Sequence, residues 1–138
     1  MTTPTADPAP AGRPAAPTGP PLRVLVVDDQ APFRIAIRRV LGRASTLDVI
    51  AEGSDGAEAV RLAGELRPDI VLLDVRMPGM DGPTAARIIA ERWPDISVVL
   101  CSSHGREDLP DDLAAPYVAK ELLTAKVLLA AAGRDLAP

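Results

Sequence analysis

Residues 70–82 read IVLLDVRMPGMDG. Four consecutive aliphatic side chains, Ile70 to Leu73, run straight into an acid, Asp74, and then into a segment punctuated by Pro78, Gly79 and Gly82. A strand that alternates apolar and polar residues has one wet face. A strand that is apolar at every position is covered on both faces, which is the habit of parallel sheets sandwiched between helices. Asp74 thus closes a doubly covered strand. In open parallel sheets, ligands bind beyond the carboxyl ends of the strands, so the residues ending the other strands matter most.

The same pattern repeats outward. Leu22–Val27 is a strand that ends in Asp28-Asp29, Ile96–Leu100 runs into Cys101-Ser102-Ser103, and Tyr117–Ala119 is a short strand ending at Lys120. Leu47–Ala51 supplies one more strand. Helical patterns lie between them. Phe33, Ile37, Val40 and Leu41 share a face of a helix over 32–42, in which Pro32 suits the first turn. Ser54 or Asp55 caps a second helix, whose Ala59, Leu62, Ala63 and Leu66 repeat at helical spacing before Pro68 stops it. A third helix spans about 83–92 and a last one about 122–132. Asp28 or Asp29 is a candidate cap for the first helix, Trp93 a candidate cover for the sheet edge, and Cys101 a small buried hydrophobe. Repeated strand–helix units with short loops imply right-handed crossovers and a three-layer α/β sandwich.

The 138 residues are 47% hydrophobic and 25% charged, enough for one packed domain. A net charge of −4 argues against a nucleic-acid surface. The single cysteine excludes an internal disulfide and suits a reducing compartment. No run is long enough for a membrane span and no signal-peptide layout is present, so the expected location is cytoplasmic. Residues 1–21 are rich in Pro and Ala with no large aliphatic or aromatic side chain after Met1, and are expected to form a disordered tail ahead of a domain over 22–138.

Neighbouring parallel strands lie about 4.8 Å apart, so Asp28, Asp29 and Asp74 should converge. Two carboxylates about 5 Å apart repel by roughly 3 kcal/mol at an effective dielectric of 20. The cluster persists only if a cation neutralises it, an acid keeps its proton, or Lys120 compensates. All-oxygen ligands point to Mg²⁺, and no Cys/His set suggests zinc.

The order Asp-Asp, then "LLDVRMPGMDG", then "VVLCSSH", then "YVAK" resembles the receiver domain of two-component response regulators. The resemblance covers Leu22 to Leu136 and is most specific over Leu72–Gly82. It implies a flavodoxin-like fold, with a five-stranded parallel sheet in order 2-1-3-4-5 and helices on both faces. It also implies that Asp74 is the phosphoacceptor, taking a phosphoryl group from a histidine kinase or phosphotransfer protein and signalling to a downstream protein target. By the same resemblance, Asp29, Asp74 and the backbone carbonyl of Arg76 would bind Mg²⁺ directly, and Asp28 through a water. Ser102 and Lys120 would hold phosphoryl oxygens, and Ser102 with Tyr117 would form the switch. Apart from its own phosphoryl transfer and dephosphorylation, such a domain is not an enzyme.

The sequence departs from that family in three places. Only 14 residues separate Ser102 from Tyr117, so a shortened fourth helix is expected, about Asp111–Ala115. Glu121 follows Lys120 where many receivers have Pro, so a trans peptide is expected there. "YVAKELL" is similar to regulators that carry a helix-turn-helix output domain, yet none follows; a single-domain regulator and a fragment both fit. His104 and Arg76, each two residues past a site residue, are read as solvated. A haloacid-dehalogenase-like phosphatase would want a second Asp where Arg76 stands. A nucleotide-binding fold would want a glycine-rich loop after the first strand. A degenerate receiver that binds partners without phosphorylation is the remaining alternative.

Overall fold

The computed structural model describes residues 19–103 and 115–134. Its elements in chain order are β1 (Leu22–Val27), α1 (Ala31–Gly42), β2 (Leu47–Gly53), α2 (Gly56–Leu66), β3 (Ile70–Asp74), α3 (Gly82–Arg92), β4 (Ser97–Ser102), β5 (Tyr117–Ala119) and α4 (Ala125–Ala131), with a 3₁₀ turn at Lys120–Leu122. All five strands pair in parallel in the order β2-β1-β3-β4-β5. That is the expected flavodoxin-like sheet. His104, all of the expected short fourth helix but Ala115, and residues 1–18 of the expected tail lie outside the described residues.

Because successive side chains of a strand point to opposite faces, the apolar runs of β1 and β3 feed two separate cores. Leu25, Val27, Val71 and Leu73 pack with Ala59 and Ala63 of α2 and with Ala85, Ala86 and Ile89 of α3. Val24, Val26, Ile70 and Leu72 pack with Ile37 and Leu41 of α1 and Leu128 of α4. Each of these residues is at most 2% exposed.

Asp55 is the cap of α2, its carboxylate accepting from the Glu58 N–H at 2.8 Å, while Glu58 accepts from the Ser54 N–H at 2.8 Å. Asp55→Ala should lower the unfolding free energy by about 1 kcal/mol in a urea titration; an unchanged midpoint would show that the cap carries no energy.

Three local expectations are corrected. Neither Asp28 nor Asp29 caps α1: the cap position is Gln30, which makes no side-chain cap bond, and Asp28 Oδ1 instead accepts from the Gln30 N–H at 2.8 Å. The last helix starts at Ala125, not near Leu122, because Thr124 Oγ1 takes the Val127 N–H and sets the start there. Leu122 is left 65% exposed. Trp93 does not cover the sheet edge. Its indole lies against Gly64 of α2, where a Cβ would come within 2.8 Å, and the Arg67 guanidinium stands 5.7 Å from the ring centroid.

Candidate functional site

The parallel register decides what meets at the carboxyl rim. Val27 pairs with Leu73 and Asp74 with Cys101, so Asp28, one residue past the end of β1, comes level with Asp74. The Asp28 N–H donates to Gly53 O at 3.0 Å, extending the β1–β2 ladder by one residue and fixing where its side chain emerges. Asp28 and Asp74 are buried, at 1% and 7% exposure, and Asp29 is exposed. One carboxylate oxygen from each of Asp28, Asp29 and Asp74 lies within 4.8 Å of the others. The convergence expected from the sequence is present.

Gly82 fixes the Asp74 backbone from behind. The Gly82 N–H donates to Val75 O at 3.0 Å, and a Cβ at Gly82 would stand 2.1 Å from Asp74 O. The start of α3 is therefore seated directly on the carbonyl of the acid, an approach that only glycine permits.

Lys120 arrives from the opposite side. It follows β5, whose Ala119 pairs with Ser102 of β4. Its Nζ lies 2.8 Å from Asp28 Oδ2 and 3.5 Å from Asp74 Oδ1. The contact with Asp28 is an ion pair whose direction falls short of hydrogen-bond geometry, and Asp28 Oδ2, fully buried, has no hydrogen-bond partner. A buried carboxylate oxygen without a hydrogen bond, beside two more carboxylates, suits a hard cation that accepts oxygen ligands. The donor set fits Mg²⁺. The expected trans linkage after Lys120 is present, as the described residues contain no cis peptide.

The electrostatics follow from this crowding. Burial, followed by the charge of Asp28, pushes the Asp74 carboxyl up to about 6, against the opposing pull of Lys120. Burial works to lower Lys120, but the ion pair with Asp28 and the charge of Asp74 outweigh it, and its pKa is raised. At neutral pH the site therefore holds an ionised Asp74 at some cost, beside a firmly charged lysine. Cys101, next to Asp74 across the sheet, is buried and its thiol is pushed up to about 12, in keeping with the expected inert hydrophobe.

Asp29, Asp74, Arg76 and Lys120 line a cavity of about 650 Å³, together with Gln30, Pro32, Phe33, Ala36 and Ser103. Ser102 is buried at the end of β4, and its backbone oxygen accepts from the Tyr117 hydroxyl at 3.3 Å. The sequence reading missed Phe33, which it placed only on the buried face of α1. The phenyl ring lines the cavity and lies 3.9 Å (centroid) from Lys120 Nζ. Its position in the first helical turn, four residues after Asp29, was the available signal.

The model of the family described as "Response regulator receiver domain" matches residues 24–128. The response regulator protein VraR of Staphylococcus saprophyticus is 43% identical over 53 residues, covering 38% of this chain and 25% of that protein. The chain thus spans about a quarter of the length of the curated relatives it first matches. Among solved structures, the signal receiver domain of the response regulator NarL from Mycobacterium tuberculosis superposes with a TM-score of 0.76 at 32% identity, covering 83% of this chain and 98% of that one. A chain of the CheX–CheY–BeF3–Mg²⁺ complex from Borrelia burgdorferi gives 0.71 at 33% identity, covering 80% and 87%. Among the described residues, no helix is long and apolar enough to cross a membrane.

Proposed function

Because this chain belongs to the response regulator receiver domain family, we propose that it accepts a phosphoryl group on Asp74 and signals through the change this makes at the end of β4. The observation that carries the reading is the convergence of Asp28, Asp29 and Asp74 within 4.8 Å, with Lys120 Nζ against two of them. The donor would be the phosphohistidine of a histidine kinase or phosphotransfer protein. The receiver of the signal would be another protein, since the acidic surface suits no nucleic acid, and the setting would be the cytoplasm.

In the proposed step an oxygen of ionised Asp74 attacks the donor phosphorus. The new O–P bond forms as the P–N bond breaks, and the imidazole nitrogen leaves with the electron pair. Even without a metal Asp74 is ionised at neutral pH, so the attacking group is the carboxylate. Asp28 and Asp29, with Asp74 and the Arg76 carbonyl, would hold Mg²⁺, which when bound neutralises the crowded carboxylates and the equatorial phosphoryl oxygens. Lys120 pairs with one phosphoryl oxygen and the Ser102 hydroxyl donates to another. Tyr117, already bonded to Ser102 O, would be carried with β4 when Ser102 shifts, turning a local contact into a change at the β5 surface.

The test is direct. Incubation with acetyl phosphate should add about 80 Da to the intact mass with Mg²⁺ and nothing with EDTA. Beryllofluoride should change tyrosine fluorescence under the same dependence. An unmodified mass and a silent optical signal, in protein shown to be folded, would refute the phosphoacceptor reading in favour of a phosphorylation-independent binding module.

A further inference from the structure

A lysine ammonium is strongly hydrated and rides on a flexible four-carbon stem, so it ordinarily extends into water. Lys120 does not. Its side chain is 14% exposed, and three groups meet its Nζ: Asp28 Oδ2 at 2.8 Å, Asp74 Oδ1 at 3.5 Å, and the ring of Phe33 at 3.9 Å from the centroid. Phe33 stands on α1 and Lys120 follows β5, so this contact joins two elements across the cavity mouth. Two of the three partners are carboxylates of the acidic cluster. Any divalent cation taken by that cluster draws on the same negative charge and repels the ammonium. The ring is different, because its attraction for a cation comes from a fixed quadrupole that the metal ligands do not share.

We propose that Phe33 is a positioning residue for Lys120, its ring face keeping the ammonium at the rim once the carboxylates are committed to a metal. The inference rests on the phosphoacceptor reading for its purpose: the lysine stays where an incoming phosphoryl oxygen will need it. An aliphatic side chain at position 33 would keep most of the apolar helix–sheet contact but would leave the ammonium free to swing to solvent. A purely structural Phe33 predicts instead that only packing volume matters.

Four proteins separate the two accounts: wild type, Phe33→Leu, Phe33→Met and Phe33→Tyr. Met and Leu keep an apolar side chain without a π face; Tyr keeps the face. In the metal-free protein, proton NMR should find the Lys120 ε-methylene shifted upfield by the ring current in wild type and Phe33→Tyr, and near random-coil values in the other two. At saturating Mg²⁺, phosphorylation by acetyl phosphate should slow about tenfold in Phe33→Leu and Phe33→Met and recover in Phe33→Tyr. Mg²⁺ affinity should hold or rise in the slow variants, since a competing cation has been released. Wild-type rates in both aliphatic variants, or a Lys120 resonance indifferent to them, would overturn the inference, as would rate and metal affinity falling together with melting temperature. A wild-type protein that takes up no phosphoryl group sinks the phosphoacceptor reading and this purpose with it. The ring-current shift still reports separately whether Phe33 holds the lysine.

Discussion

Asp74→Asn is expected to lose phosphoryl uptake altogether and yet to resist unfolding better than wild type at neutral pH in the absence of divalent ions. The loss follows from chemistry: a carboxamide is no nucleophile toward phosphorus. The gain follows from linkage. The Asp74 carboxyl is raised from 3.8 to about 6 by burial and by Asp28, so the folded protein binds a proton that the unfolded chain would release. Its contribution to stability is fully present below about pH 4 and is lost as pH rises through about 6. At neutral pH that loss is at most about 3 kcal/mol, and Asn does not incur it. With Lys120 still offsetting part of the cluster, we expect Asp74→Asn to be more stable by about 2 kcal/mol. Urea titrations in EDTA from about pH 4 to about pH 7.5, followed by Trp93 fluorescence, should show the two proteins diverging as pH rises. Parallel curves would remove the electrostatic account of the site. Mg²⁺ held by the folded site, as proposed above, should narrow the gap from the wild-type side.

Gly82→Ala should be the most damaging single methyl group in the described chain. The added Cβ would meet Asp74 O at 2.1 Å and the Asp74 carbonyl carbon and Val75 Cα at 3.0 Å. All three are backbone atoms, and the N–H of the same glycine is bonded to Val75 O, so neither partner can move without shifting the other. Overpacking of this kind costs about 3 kcal/mol, and relief can come only by lifting α3 or displacing Asp74. Phosphoryl uptake in the fraction that folds should therefore fall as well. Gly42→Ala is the matched control: it sits in α1 with nothing within 4 Å of the new atom, and it should be neutral or stabilise by about 0.5 kcal/mol. Equal urea midpoints for the two variants would mean that the Gly82 contact is not rigid.

The chain's own pattern made the sheet and its rim legible. Unbroken aliphatic runs before Asp28, Asp74 and Ser102 marked doubly covered strands, and the acids at their ends could only converge once those strands were neighbours. Local chemistry also narrowed the α2 cap to Ser54 or Asp55 and carried the trans linkage after Lys120. Contacts between remote segments did not show. Helical spacing groups Phe33 with Ile37 and Leu41, but it cannot reveal that the first-turn member leans over a lysine that follows β5. The glycines of "MPGMDG" look alike in sequence. In space they differ: Gly79 adopts φ +73° with open space around it, and Gly82 is wedged on a carbonyl. Apolar spacing extends the last helix back to Leu122, whereas the Thr124 cap decides its start.

The sheet divides the interior into two rooms with a common wall. Leu72 and Leu73 are adjacent in the chain, yet each looks into a different room. Packing volume can therefore be traded on one side without renegotiation on the other, and substitutions in opposite rooms should combine almost as strangers do. The exception is the seam at Gly82, where the α2–α3 room touches the acidic rim through the Asp74 carbonyl.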